Sequence, residues 1–137
     1  MEKKLRPASL SDLGLKKFAP AMAWFIAVLI LVVLPGESLP TEHEWMAIAY
    51  LDKWVHAFMF ALLTFLFLLP VAQSSLYTQQ KRHYFIRICL SACVWGLTTE
   101  YIQGFYIPTR SFDLVDWAAD SIGVLIAFVY CRRFHRG

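Results

Sequence analysis

Six polar side chains that carry charge or form strong hydrogen bonds lie within one short stretch of an otherwise apolar sequence. The stretch spans residues 97–123, and the side chains are Glu100, Gln103, Arg110, Asp113, Asp116 and Asp120. Apolar segments pass on both sides of it, which predicts that several of these groups lie near or below a membrane surface. Because an ionisable group is costly to bury there, such a group is a candidate functional residue.

A second polar group, Asp52, Lys53 and His56, begins an earlier apolar segment. In a helix, residues three or four positions apart are neighbours on one face, so His56 has charged neighbours. A histidine beside carboxylates can act as a general base or nucleophile, and it can bind a metal together with them. Lys53, like Arg110, can instead contact an anion such as phosphate.

The rest of the chain is too apolar for a small water-soluble domain. Of its 137 residues, 58% are hydrophobic, and the mean hydropathy is +0.51. A soluble domain of this size exposes too much surface to carry such a content, so we predict a single-domain polytopic membrane protein. The three cysteines are odd in number and lack paired metal spacing, which argues against a disulfide framework or a zinc site.

The apolar segments predict an all-α bundle of four transmembrane helices. We expect them at about residues 18–34, 53–72, 84–105 and 112–130, within one domain spanning 18–132. Pro20 suits the first turn of a helix, and Pro35 and Gly36 are expected to end the first one. The loop 35–52 contains an amphipathic segment, 45–51, whose composition is typical of an interfacial helix.

The distribution of lysine and arginine predicts the orientation of the helices. All but two of the 13 lie in the N-terminal tail, around the loop between helices two and three, or at the C-terminus; the exceptions are Lys53 and Arg110. By the positive-inside rule, the tails 1–17 and 133–137 are then cytoplasmic, and the loops 35–52 and 105–112 face outward. The basic stretches therefore indicate orientation and not a nucleic-acid site.

This topology brings the polar residues of three helices to one level. Since unpaired carboxylates are costly in a low-dielectric setting, we expect a shared pocket. The expected cations are Lys53, His56 and Arg110, and their expected partners are Glu100, Asp116 and Asp120. His56 in particular should lie within reach of Glu100 or Asp116. Ala119 and Gly123 form a small-xxx-small pair, which predicts close approach of another helix.

Several of these residues form motifs that resemble those of the VanZ-like family. The pieces are Asp52-Lys53-Trp-Val-His56-Ala-Phe, Thr99-Glu100-Tyr-Ile-Gln103, Pro108-Thr-Arg110-Ser-Phe-Asp113-Leu-Val-Asp116 and Asp120-Ser-Ile-Gly123. The family pattern is D-K-x-x-H at the start of one membrane helix, then E-x-x-Q, an arginine, and D-x-x-D-x-x-x-N followed by a small residue and Gly. Where the family often has asparagine, this chain has Asp120, which adds an acid to the site.

The resemblance implies a small bacterial protein of the cytoplasmic (inner) membrane. The family is named after a factor that gives low-level resistance to teicoplanin-type glycopeptides. By motif match, the positions carried over as site residues are Lys53, His56, Glu100, Gln103, Arg110, Asp113 and Asp116.

The leading hypothesis is an outward-facing ionic pocket that binds an anionic envelope component and serves glycopeptide tolerance or envelope homeostasis. The ligand would be a lipid phosphate or a lipid-linked cell-wall precursor, contacted by Arg110 and Lys53, with the carboxylates orienting both cations. The predicted binding residues are Lys53, His56, Glu100, Gln103, Arg110, Asp113, Asp116 and Asp120. Membrane lipids are the expected partners, nucleic acid is not, and no metal or other cofactor is predicted.

Three alternatives remain open. A membrane-embedded hydrolase or transferase acting on a lipid-linked substrate would use His56 as base or nucleophile, oriented by Glu100 or Asp116. A metal-dependent version would take His56, Glu100 and the aspartates as ligands, although the sequence has no Gly-rich phosphate loop, nucleophile elbow or H-E-x-x-H motif. A proton- or cation-coupled transporter would use the same cluster as a relay. A purely structural interaction subunit ranks last.

The predicted orientation can be tested with one substitution and one fusion. We expect a reporter fused to the C-terminus to report the cytoplasm, and Thr41→Cys to react with a membrane-impermeant thiol reagent added from outside. Reaction of Thr41→Cys only after permeabilisation would contradict both the orientation and the sidedness of the polar cluster.

Overall fold

The structure is a computed structural model that describes residues 13–34, 42–108 and 110–134, the side chains of 42–50 excepted. The helices are α1 (Ala19–Val33), α2 (Glu42–Ala72), α3 (Thr78–Tyr106) and α4 (Leu114–Phe134), with a short 3-10 helix, Leu15–Phe18, before α1. Each of the four is long and apolar enough to cross a membrane, α1 only together with the 3-10 helix before it, as Leu15–Val33. The prediction of an all-α architecture is confirmed for the described residues, with four helices whose length and composition would allow them to span a membrane.

The observed bounds of α1, Ala19–Val33, differ by one residue at each end from the predicted range of about 18–34. Pro20 lies in its first turn, where the missing amide hydrogen costs no hydrogen bond. The helix ends at Val33, and the predicted terminators Pro35 and Gly36 lie outside the described residues.

Two helices begin earlier than their predicted starts. α2 begins at Glu42 and not at residue 53, so the segment predicted as an interfacial helix, 45–51, continues α2. No glycine or proline interrupts residues 42–52, and the backbone therefore has no reason to break there. α3 begins at Thr78 and not at residue 84, because the Gln80 side chain accepts a hydrogen bond from the Tyr77 N–H at 3.2 Å and supports an earlier first turn.

The bundle has two chemically different ends. At the basic end, an apolar cluster joins the start of α1 to the end of α2, the start of α3 and the end of α4, through Leu13, Leu68, Val71, Ala72, Leu76, Phe85 and Cys131. The basic flanks of the helices lie at this end, namely Lys16, Lys17, Lys81, Arg82, Arg87, Arg132 and Arg133. The opposite end, which we call the acidic end, carries the polar cluster.

Close packing of α2 against α4 sets the geometry between the two ends. This pair makes the most extensive contact in the bundle. A β-carbon at Gly123 would collide with the Ala57 carbonyl oxygen and lie 2.9 Å from the Ala61 nitrogen, so only glycine permits this approach. The close helix approach predicted from Ala119 and Gly123 is therefore confirmed at Gly123.

We expect Gly123→Ala to destabilise the protein, because the new methyl group forces the α2 and α4 backbones apart. The expected loss is about 1–3 kcal/mol, the usual range for overpacking a tight site, measured by unfolding in detergent. Ala118→Val adds carbon atoms on an exposed face of the same helix and is the control, with little expected effect. Equal stability of Gly123→Ala and the wild type would contradict the observed helix contact.

Candidate functional site

Asp113 begins α4 and connects it to both neighbouring helices. Its Oδ1 accepts a hydrogen bond from the Val115 N–H at 2.8 Å, as an N-cap side chain does. Its own N–H donates to Glu100 Oε2 at 3.2 Å, and its Oδ2 accepts from Lys53 Nζ at 3.2 Å. The Val115 N–H, followed by the Lys53 ammonium group, holds the pKa of the Asp113 carboxyl below its usual value, so this group stays ionised near neutral pH.

Lys53 bridges two carboxylates of α4 from the neighbouring helix α2. Its Nζ lies 2.8 Å from Asp116 Oδ1, in addition to the contact with Asp113. Asp116 is buried, and Lys53 is about one-third exposed. This ion pair therefore fixes α2 against the start of α4, as the sequence predicted for Lys53 and Asp116.

His56 lies one turn deeper, between two further carboxylates. Its Nδ1 is 3.0 Å from Asp120 Oδ1 and 3.7 Å from Glu100 Oε1. His56 is 2% exposed, and both carboxyl residues are 0% exposed. The predicted proximity of His56 to Glu100 is confirmed, and the closer partner is Asp120.

Two carboxylate oxygens in this deeper group have no hydrogen-bond partner among the described residues. They are Glu100 Oε1 and Asp120 Oδ2, both fully buried. A buried acceptor without a donor costs free energy, and an ionised one costs more.

One face of α3 supplies the wall of the cluster. Gly96, Thr99, Glu100 and Gln103 are all buried and follow the spacing of a single helical face. A β-carbon at Gly96 would lie 3.0 Å from Asp120 Oδ2, so glycine leaves the room that this carboxylate needs. Neither Gly96 nor Thr99 is among the predicted site residues, although their spacing from Glu100 and Gln103 on one helical face was a usable signal.

Gln103 contributes to helix packing at this level. Its Nε2 donates a long hydrogen bond, 3.5 Å, to the carbonyl of Val32 in the last turn of α1. This contact satisfies a carbonyl that the helix end leaves without an internal partner. It also joins α1 to the face of α3 that carries Glu100.

Arg110 does not form the ion pair that the sequence predicted. It lies in the turn between α3 and α4, where its N–H donates to the Ile107 carbonyl at 3.1 Å. Among the described residues no carboxylate lies within ion-pairing distance of its guanidinium group, and its buried Nε has no hydrogen-bond partner. The expected partners are engaged by other groups: Asp116 by Lys53, Asp120 by His56, and Glu100 by the Asp113 N–H.

Among the described side chains there are two sets of three residues, and the donor atoms within each set lie close enough together to bind one cation. One set is His56, Glu100 and Asp120, and the other is Asp52, His56 and Asp116; within each, the donor atoms lie within 4.8 Å of one another. Among the described side chains, five carboxyl groups lie at this end of the bundle together with Lys53, Arg110 and His56; they are Asp52, Glu100, Asp113, Asp116 and Asp120. Acidic side chains therefore outnumber basic ones in this described part of the bundle.

No protein-family model matches this chain, and no curated protein or solved structure matches it either.

Because Lys53 bridges α2 and α4, we expect a measurable coupling between Lys53 and Asp116. In a double-mutant cycle of Lys53→Met and Asp116→Asn, the coupling energy should be about 0.5–3 kcal/mol. Lys53→Met leaves Asp116 without its cation, and Asp116→Asn removes the closer of the two carboxylates that contact Lys53. Lys53→Met combined with Arg132→Gln, at the opposite end, is the control and should be additive. Additivity in the Lys53 and Asp116 cycle would contradict the ion pair.

Proposed function

We propose that this protein binds an anionic component of the cell envelope, with Arg110 as the principal contact. The ligand class is a lipid phosphate or a lipid-linked cell-wall precursor. The observation that supports this most strongly is the Arg110 guanidinium group, whose buried Nε has no hydrogen-bond partner among the described residues although carboxyl groups are abundant at the same end of the bundle.

The partners of the other cations favour Arg110 for this role. Lys53 already donates to Asp113 and Asp116, and His56 is enclosed by Glu100 and Asp120. Arginine also suits the task, because its planar group can form two parallel charge-assisted hydrogen bonds to a phosphate. In this proposal Lys53 serves mainly to hold α4 in place, a smaller part in binding than the sequence suggested.

The proposed setting is the bacterial cytoplasmic membrane, with both termini in the cytoplasm. The segregation of charge supports it, because the basic flanks lie at one end of the bundle and the acidic cluster at the other. Arg110 then lies at the outward end, where envelope lipids and cell-wall precursors are accessible. The motif resemblance to the VanZ-like family adds glycopeptide tolerance as the proposed cellular role.

Arg110→Lys keeps the positive charge but removes the planar guanidinium group, so it tests whether paired hydrogen bonds to phosphate are needed for binding. We expect it to insert and unfold like the wild type but to bind phosphatidic acid at least about tenfold more weakly, since loss of one charge-assisted hydrogen bond costs about 1.5 kcal/mol or more. Native mass spectrometry with phosphatidic acid, and with zwitterionic phosphatidylcholine for comparison, measures the effect. Any glycopeptide tolerance that the wild type confers should fall in parallel.

Arg132→Lys provides the matched control, because Arg132 is exposed at the basic end. Arg132→Lys should bind phosphatidic acid as the wild type does and should leave any glycopeptide tolerance unchanged. If Arg110→Lys binds phosphatidic acid as the wild type does, Arg110 does not recognise phosphate and the proposed function is wrong.

A membrane-embedded hydrolase is the second candidate, and the contact between His56 and Asp120 favours it. A carboxylate 3.0 Å from Nδ1 can fix the tautomer and orientation of a histidine that acts as general base. Such an enzyme would release phosphate from a lipid diphosphate, whereas a binding protein would not. A phosphate-release assay on the purified protein distinguishes the two.

A further inference from the structure

His56, Glu100 and Asp120 come from three helices and meet at one buried point. They lie on α2, α3 and α4, respectively, and each offers one donor atom within 4.8 Å of the other two. The Nδ1 atom of His56 is 3.0 Å from Asp120 Oδ1 and 3.7 Å from Glu100 Oε1. Two donors bound to one ion at about 2.1 Å lie roughly 3.0–3.5 Å apart, so small side-chain shifts would suffice.

The hydrogen bonds among the described residues do not satisfy all the carboxylate oxygens of this group. Glu100 Oε1 points towards His56, is fully buried and has no hydrogen-bond partner among the described residues. Its second oxygen, Oε2, accepts from the Asp113 N–H and is thereby fixed in orientation. The chain thus holds a carboxylate rigidly and leaves its inner oxygen without a donor.

Acidic side chains also outnumber basic ones in this group. Two fully buried carboxyl groups, Glu100 and Asp120, face the single imidazole of His56. Lys53 is engaged by Asp113 and Asp116 one turn above. A divalent cation would balance both carboxylates and leave His56 neutral, the form in which imidazole binds metals.

We propose that His56, Glu100 and Asp120 bind one divalent transition-metal ion of the zinc type. One imidazole nitrogen and two carboxylate oxygens form a donor set that zinc accepts, with room for a further ligand. Calcium and magnesium prefer all-oxygen sites, often with several waters, and suit this dry site less well. The proposal is independent of the anion contact at Arg110.

The neighbouring set, Asp52, His56 and Asp116, is a weaker candidate. Asp116 Oδ1 is already bound by Lys53 at 2.8 Å, and that bond would have to break. Asp52 is also only partly buried, so water can solvate it. Among the residues that the structure describes, no lysine or arginine pairs with the carboxylates of the deeper set, which is why it is preferred.

The test is zinc binding by the purified full chain in detergent. After treatment with a chelator, the protein is titrated with zinc chloride, and bound zinc is measured by mass spectrometry of the metal together with the unfolding temperature. We expect about one zinc per chain, the number that a single three-residue site implies, and a higher unfolding temperature with zinc. Asp120→Asn should bind zinc at least about tenfold more weakly, as expected when a metal-site contact is lost.

One control and one further ligand variant accompany this test. The control, His83→Gln, removes an exposed histidine near the basic end and should bind zinc as the wild type does. His56→Gln removes the nitrogen ligand and should lose binding; if it does not fold, Asp120→Asn, a nearly isosteric change, still decides. The proposal is overturned if the wild type binds no stoichiometric zinc, or if Asp120→Asn binds it undiminished. Because the zinc titration involves no lipid, failure of the zinc proposal can be distinguished from failure of the proposed function, which the binding of phosphatidic acid by Arg110→Lys tests.

Discussion

The burial of Glu100 and Asp120 is the constraint on which the acidic end depends. Both carboxyl residues are excluded from solvent in a bundle whose outer surface is apolar. Isolated charges in such a setting are too costly, so positive or hydrogen-donating groups must be brought to them from other helices. His56 from α2 and the Asp113 N–H at the start of α4 meet part of this requirement, while Glu100 Oε1 and Asp120 Oδ2 have no donor among the described residues. The convergence of the three helices follows from it.

Glycine makes that convergence possible. Gly123 allows the α2 backbone to lie against α4, which places His56 level with Asp120. Gly96 on α3 leaves the space that the Asp120 carboxylate fills. The ion pairs and the backbone contacts therefore support each other, since neither set forms unless the helices pack closely.

The sequence predicted the larger features because they rest on strong and local signals. Four long apolar segments specify four helices, and helical spacing correctly placed His56 near Glu100. The helix starts at Glu42 and Thr78 were missed, because the polar residues there resemble loops although nothing breaks the helix. The choice of partners was also missed in part. Arg110 was expected to pair with Glu100, Asp116 or Asp120, but these groups are engaged by the Asp113 N–H, Lys53 and His56, respectively. Such competition between donors can be judged only from three-dimensional distances.

The two proposals concern different depths of the same end of the bundle. A cation bound at His56 would lower the negative charge that five carboxyl groups impose on an anionic ligand at Arg110. Lys53 and Asp113 form an ion pair beside the turn that carries Arg110. Binding of the anion would then use a guanidinium group with which no carboxylate of the described residues forms an ion pair.

The most direct measurement is an experimental structure of the protein in lipid nanodiscs that contain phosphatidic acid. We expect the lipid phosphate within hydrogen-bond distance of the Arg110 guanidinium group, while Lys53 remains between Asp113 and Asp116. An Arg110 side chain paired with Asp52 or Asp113, with no headgroup beside it, would contradict the claim that this arginine is kept for an anionic ligand.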